Sequence, residues 1–196
     1  MTRRIVVMLA ALLLVAAGIA IYAWRLHKRL AVEEARLTTQ QQTVAPPANG
    51  PTAKVTLFLA SDENATLYKK QISIPLPAER SEQARSILRT LFGTYLQSGS
   101  PHPIGAGADV RDVYLLNDGS AVVDTNAAFA DAHPSGVLAE ELTITSIVAT
   151  LNANDAKINR VKIIVNGAER DTLAGHADLR RFYVTSNIGQ LAKELQ

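Results

Sequence analysis

SEQARSILRTLFGTY, residues 81–95, sets the architecture of this chain. Ala84, Ile87, Leu88, Leu91, Phe92 and Tyr95 fall at i, i+3, i+4, i+7, i+8 and i+11, which is one apolar stripe of an α-helix. Arg80, Glu82, Arg85 and Arg89 lie off that stripe. Ser81 reads as the N-cap, and Gly93 predicts that the helix ends soon after it. A helix with one apolar stripe needs a second layer to cover it, and the sequence on both sides supplies strands.

Upstream, Val55, Leu57 and Leu59 alternate with Thr56 and Phe58, giving a strand. Ser61-Asp62-Glu63-Asn64 has turn chemistry, and residues 67–74 resume an extended pattern, so the two runs form a hairpin. Pro75 and Pro77 close it. Downstream, GSPHPIGAG (99–107) is a loop, and Val110, Val113 and Leu115 begin a strand. Asn117-Asp118-Gly119 turns it back into residues 121–124. Residues 126–134 are irregular, with Phe129 as a buried anchor. Ser135 caps a second helix through Leu138, Leu142, Ile147, Val148 and Leu151, and residues 152–155 end it. Val161, Ile163 and Val165 form a strand with Lys162 on its other face. Asn166-Gly167 is a tight turn after which residues 171–173 pair back. The order is β-β-α-β-β-α-β-β. The expected fold is α+β, a single mixed sheet with two helices packed on one face.

One N-terminal transmembrane helix is expected before that domain. Residues 5–24, IVVMLAALLLVAAGIAIYAW, are 19 hydrophobic residues plus Gly18. Twenty apolar residues span a hydrocarbon core of about 30 Å. Arg3 and Arg4 precede the run and Gly18-Ile19-Ala20 is a small-x-small site, which a cleaved signal peptide would also have. The run continues past Ala20 to Tyr22 and Trp24 and then meets Arg25, Lys28 and Arg29, which favours an uncleaved single-pass anchor. The bases on its two flanks nearly balance, so charge alone does not orient it. The expected domains are 1–25, the anchor; 26–52, a juxtamembrane stalk and Pro/Gly linker; 53–185, the α+β domain; and 186–196, a tail or short helix.

Charge divides along the same line. Residues 1–50 hold six Lys/Arg against two Asp/Glu, net +4, and residues 51–196 hold fourteen against sixteen, net −2. The domain lacks the basic surface that nucleic-acid binding requires. The chain has no cysteine. That excludes a cysteine nucleophile, thiolate metal sites, disulfides and a lipid-modified cysteine.

Several stretches, taken in order, resemble the GerM-type domain, a family first named from bacterial sporulation and spore germination proteins. They are Val55-Thr56-Leu57-Phe58-Leu59, Leu91-Phe92-Gly93, Pro103-Ile104-Gly105-Ala106-Gly107 and Gly119-Ser120-Ala121-Val122-Val123-Asp124 with Phe129. Ile147-Val148-Ala149-Thr150-Leu151, residues 161–167 and Leu173-Ala174-Gly175-His176 complete the set. Coverage is residues 53–183. The family usually continues Gly-Pro after the segment at Leu91, whereas here Thr94 follows Gly93. The resemblance implies an exported, membrane-anchored module of the envelope that binds partners and does not catalyse.

Residue types able to do chemistry are few. Asp131-Ala-His133 and His176-Ala-Asp178 are mirror-image pairs that could offer a divalent metal two imidazoles and two carboxylates. Ser135 does not sit in a Gly-x-Ser-x-Gly elbow. Gly105-Ala-Gly107 precedes a strand and so fails as a dinucleotide loop. Glu140 and Glu141 diverge by about 100° around a helix and read as a solvated face. Asp124, His133, His176 and Asp178 are the strongest catalytic candidates, yet no catalytic, cofactor or metal residue is assigned. The expectation is a non-enzymatic binding or scaffold module with no cofactor, whose partner is an envelope protein or cell-wall component. The alternatives are an envelope hydrolase with a loop-built site and an extracytoplasmic small-molecule sensor.

Overall fold

The computed structural model describes residues 51–187. The anchor at 5–24, the stalk and most of the linker lie outside them, as do residues 188–196 of the expected C-terminal tail or short helix. Among the described residues no helix is long and apolar enough to cross a membrane.

Strands β1 (Thr52–Ser61) and β2 (Thr66–Pro75) form the expected hairpin, antiparallel in unbroken register from Thr52↔Pro75 to Ser61↔Thr66. Helix α1 (Arg80–Tyr95) follows, with Leu88 and Leu91 fully buried on its stripe. Its cap differs from expectation. The Glu79 carboxylate accepts the Ser81 and Glu82 amides, so Ser81 lies inside the first turn.

Strands β3 (Val110–Leu115) and β4 (Ser120–Thr125) form a second hairpin, closed at Gly119 with φ 82°. Two helices then fill the span where one was expected. The short helix α2 (Ala127–Asp131) is capped by Asn126 and stacks Phe129 on Phe92 of α1, centroids 5.1 Å apart. Helix α3 (Val137–Asn154) has Gly136 as its N-cap, and Ser135 instead donates to the Ala174 carbonyl. Strand β5 (Arg160–Val165) runs parallel to β4, and Asn166-Gly167 makes the expected tight turn with both residues at positive φ. The return strand is not 171–173, which makes only a single bridge from Thr172 to Asp178. It is β6 (Tyr183–Val184), antiparallel to the start of β5 and followed by a 3₁₀ turn at Thr185–Asn187.

The expected single sheet is therefore two, one of order β1-β2 and one of order β3-β4-β5-β6. The physical reason lies along α3. Ser146, Thr150 and Asn154 are spaced i, i+4, i+8 and share one helix face. Asn154 accepts the Thr56 amide at 2.9 Å and donates to the Thr56 carbonyl at 2.7 Å. Thr150 accepts the Phe58 amide at 3.0 Å, and Ser146 donates to the Phe58 carbonyl at 2.6 Å. Tyr95 of α1 accepts the Ala60 amide at 2.9 Å. Four helical residues rise about 6 Å and two strand residues about 6.7 Å, so the side-chain ladder keeps step with the strand. From Thr56 to the Ala60 amide the edge of β1 is occupied by side chains, and no strand joins it there.

Helix α3 is consequently buried along its whole middle. Thr143, Thr145, Ser146 and Thr150 are as enclosed as Leu142, Ile144 and Ile147. Helix α1 is tied to β3 by Arg89, which donates to Asp109 at 3.0 and 2.7 Å and to the Val110 carbonyl at 2.9 Å.

Candidate functional site

All three histidines among the described residues converge on two α3 side chains three positions apart, Glu140 and Thr143. This spacing places both on one helix face. Glu140 is fully buried, which corrects its reading as a solvated residue. One carboxylate oxygen accepts the amides of Ala174, His176 and Ala177 at 2.9–3.0 Å. The other accepts the Gly136 amide at 3.2 Å and faces His176 Nδ1 at 2.8 Å. Burial raises the pKa of this carboxyl. The Ala174 and Ala177 amides, the His176 ring and the His176 amide outweigh burial and hold it at about 2. Glu141 turns away toward Arg181 at 3.8 Å, and burial raises its pKa.

Thr143 is also fully buried. Its Oγ1 lies 2.6 Å from His102 Nε2, 2.8 Å from His133 Nε2 and 3.0 Å from the Ala139 carbonyl oxygen. The opposite nitrogen of His102 meets Asp62 at 2.5 Å, and that of His133 donates to the Pro134 carbonyl at 2.8 Å. Burial pushes the His133 imidazole below its usual pKa, with the Pro134 carbonyl opposing. Asp62, His102 and Thr143 thus stand in the order carboxylate, imidazole, hydroxyl, as a nucleophilic site would need. The hydroxyl, however, has three protein partners and no exposure. The group joins the β1–β2 turn, the 99–107 loop and the segment before α3 to the helix, and acts as a polar rivet.

The remaining candidates are dispersed. Asp124 accepts the Gly167 amide at 2.8 Å and lies 3.7 Å from Arg111. Asp131 pairs with Arg170 at 2.6 Å. Asp178 pairs with Arg180 at 3.0 Å, which lowers its pKa, and its carbonyl accepts the Tyr183 hydroxyl. The structure does not bring the two Asp/His pairs together, and no group of three His, Asp or Glu side chains able to hold a metal ion gathers among the described residues. His102, Thr143 and Glu140 were not assigned from sequence. The available signal was the run Thr143-Ile144-Thr145-Ser146, hydroxyls inside an otherwise apolar helix, which implies buried polar partners on several sides. An open cleft of about 500 Å³ lies elsewhere, between the β3–β4 turn and the α3–β5 connection, with Arg80, Asp118, Lys157 and Asn159 on its walls.

No curated protein matches the chain. Among solved structures, a candidate lipoprotein from Clostridium perfringens aligns at 19% identity and TM-score 0.49, over 76% of this chain and 97% of that one. The first GerMN domain of the sporulation protein GerM from Bacillus subtilis aligns at 19% identity and TM-score 0.46, over 65% and 92%. The tandem GerMN domains of the same protein align at 22% and 0.45, over 66% and 44%. A family model described as "Germane: Sporulation and spore germination" matches residues 56–171, more than half of the chain and the same span in which the hairpins, α1 and α3 were found. On that match this chain belongs to the Germane family of sporulation and spore germination domains.

Proposed function

We propose that this protein is a membrane-anchored, non-enzymatic binding or scaffold module of the bacterial cell envelope, with a role of the sporulation, germination or envelope-assembly type. Residues 5–24 hold it in the cytoplasmic membrane, residues 26–52 act as stalk and linker, and the folded domain stands on the extracytoplasmic side. Its partner is another envelope protein or a cell-wall component, not a nucleic acid. The observation that supports this most is where the reactive side chains are spent: Glu140, Thr143, His102 and His133 are enclosed and bonded to the protein itself. Family membership agrees with it.

A second reading, an envelope hydrolase, is favoured by the Asp62–His102–Thr143 alignment. Complementation separates the two when each variant is also melted as purified protein. A binding module tolerates His176→Ala and His133→Ala in proportion to the stability they cost. Loss of function at unchanged melting temperature would give the enzyme reading precedence. Protease added to spheroplasts should remove the domain, and its full protection would overturn the topology.

A further inference from the structure

The hairpin that α3 seals on one side is open on the other. The bonds of Thr56, Phe58 and Ala60 to the helices show which way each backbone group points. Even-numbered residues of β1 turn their amides and carbonyls toward α3, so the odd-numbered ones face β2. Through Val55↔Ile72, Leu57↔Lys70 and Leu59↔Tyr68, the even-numbered residues of β2 answer them. The amides and carbonyls of Leu67, Lys69, Gln71 and Ser73 therefore point outward, and they meet no backbone partner among the described residues. Along this regular ten-residue strand, four successive outward positions without a backbone partner among the described residues are a template for another strand.

The side chains along this edge select its occupant. Thirteen Lys and Arg lie among the described residues, and nine have a carboxylate of another described residue within 4.0 Å. Of the four that do not, three are on this hairpin: Lys54, Lys69 and Lys70, all exposed. Elsewhere among the described residues only Lys157 lacks such a partner, so the charge without a described carboxylate is concentrated beside the open backbone. Tyr68, 43% exposed, adds apolar surface. A second copy is disfavoured, because antiparallel registers centred on the lysine pair set Lys69 or Lys70 against its own counterpart.

We propose that the outer edge of β2 receives an extended acidic segment of another envelope protein as a third strand, with its carboxylates opposite Lys69 and Lys70. This deepens the binding-module reading and rests on it. Backbone bonds at Leu67, Lys69, Gln71 and Ser73 supply the pairing, and the lysines supply the choice of partner.

The test uses the full chain in detergent micelles and a synthetic peptide of about twelve residues in repeating Val-Val-Glu-Glu order, long enough to cover one strand and with carboxylates on both of its faces. Its Val–Lys counterpart and inorganic polyphosphate are the comparisons. The acidic peptide should bind about tenfold or more tighter than the basic one and slow hydrogen exchange at the four outward amides. Gln71→Pro removes an outward amide that β1 does not use, and should weaken binding with the melting curve little changed. If that variant fails to fold, Lys69→Glu with Lys70→Glu should reverse the peptide preference. Equal binding of both peptides, polyphosphate binding as well as the acidic peptide, binding without amide protection, or dimers formed through this edge would each overturn the inference. If the peptide fails while crosslinking in intact cells captures a partner on another face, the edge falls and the binding module stands. If neither captures anything, both fall.

Discussion

Thr143 shows how much one hydroxyl can hold in place. Replacing it with valine keeps the shape and removes the common partner of two buried imidazoles. The expected cost is about 2–4 kcal/mol in urea unfolding, since each stranded buried group costs about 1–3 kcal/mol. Thr143→Ser should recover most of it. Two glycines give opposite outcomes for the same change. A Cβ on Gly105 would lie 2.5 Å from the Ala132 backbone, so Gly105→Ala forces the loop apart and should cost about 1–3 kcal/mol. Gly93 sits in the last turns of α1 with nothing within 4 Å of that position, and Gly93→Ala should stabilise by about 0.5–1 kcal/mol. Melting curves of the two variants moving in the same direction would contradict this account.

At the scale of elements, the unusual contact is a helix acting as the neighbour of a strand. Asn154 both accepts from and donates to Thr56, as a backbone partner would. Asn154→Ala should leave α3 intact and expose that part of the β1 edge. Native-state hydrogen exchange should then quicken at Thr56 before it does at Val55 or Leu57, whose amides bond β2. If all three quickened together, the hairpin would be opening as a unit and the side-chain seal would carry little of its stability. Tyr95 extends the same seal from α1, and burial pushes its phenol up to about 12. It therefore remains a neutral donor to Ser146 at neutral and mildly alkaline pH.

For the whole molecule, Glu140 makes stability depend on acid. The carboxyl titrates at about 2 when folded and near 4.5 when free. The unfolded chain thus binds the proton first. The contribution is complete above about pH 4.5 and is lost as pH falls toward 2, and it amounts to about 3 kcal/mol. Urea unfolding across that interval should show the decline. Glu140→Gln should be less stable near neutrality and should show a shallower decline, because Gln does not titrate. An identical pH slope in the variant would assign the acid sensitivity to other carboxylates.

Local chemistry was enough to place many parts of this protein. The i, i+3, i+4 pattern defined the buried face of α1, alternation defined β1 and β5, and Asn117-Asp118-Gly119 and Asn166-Gly167 defined two turns, since each signal is complete within a few residues. Phe129 was recognisable as a buried anchor for the same reason, although the one-turn helix α2 around it was not. What the sequence left open depends on partners far along the chain. Ser146, Thr150 and Asn154 seal β1 across some ninety residues, and that decides two sheets over one. The return strand stands at Tyr183, beyond a 174–177 loop whose amides the Glu140 carboxylate gathers from more than thirty residues away. His102 and His133 were visible as residues, but their shared hydroxyl was not, because it lies 41 positions from one and 10 from the other, beyond the reach of either local pattern. Periodicity and turn chemistry act over one or two turns of chain, whereas the pairing of buried polar groups is settled only when the whole core closes around them.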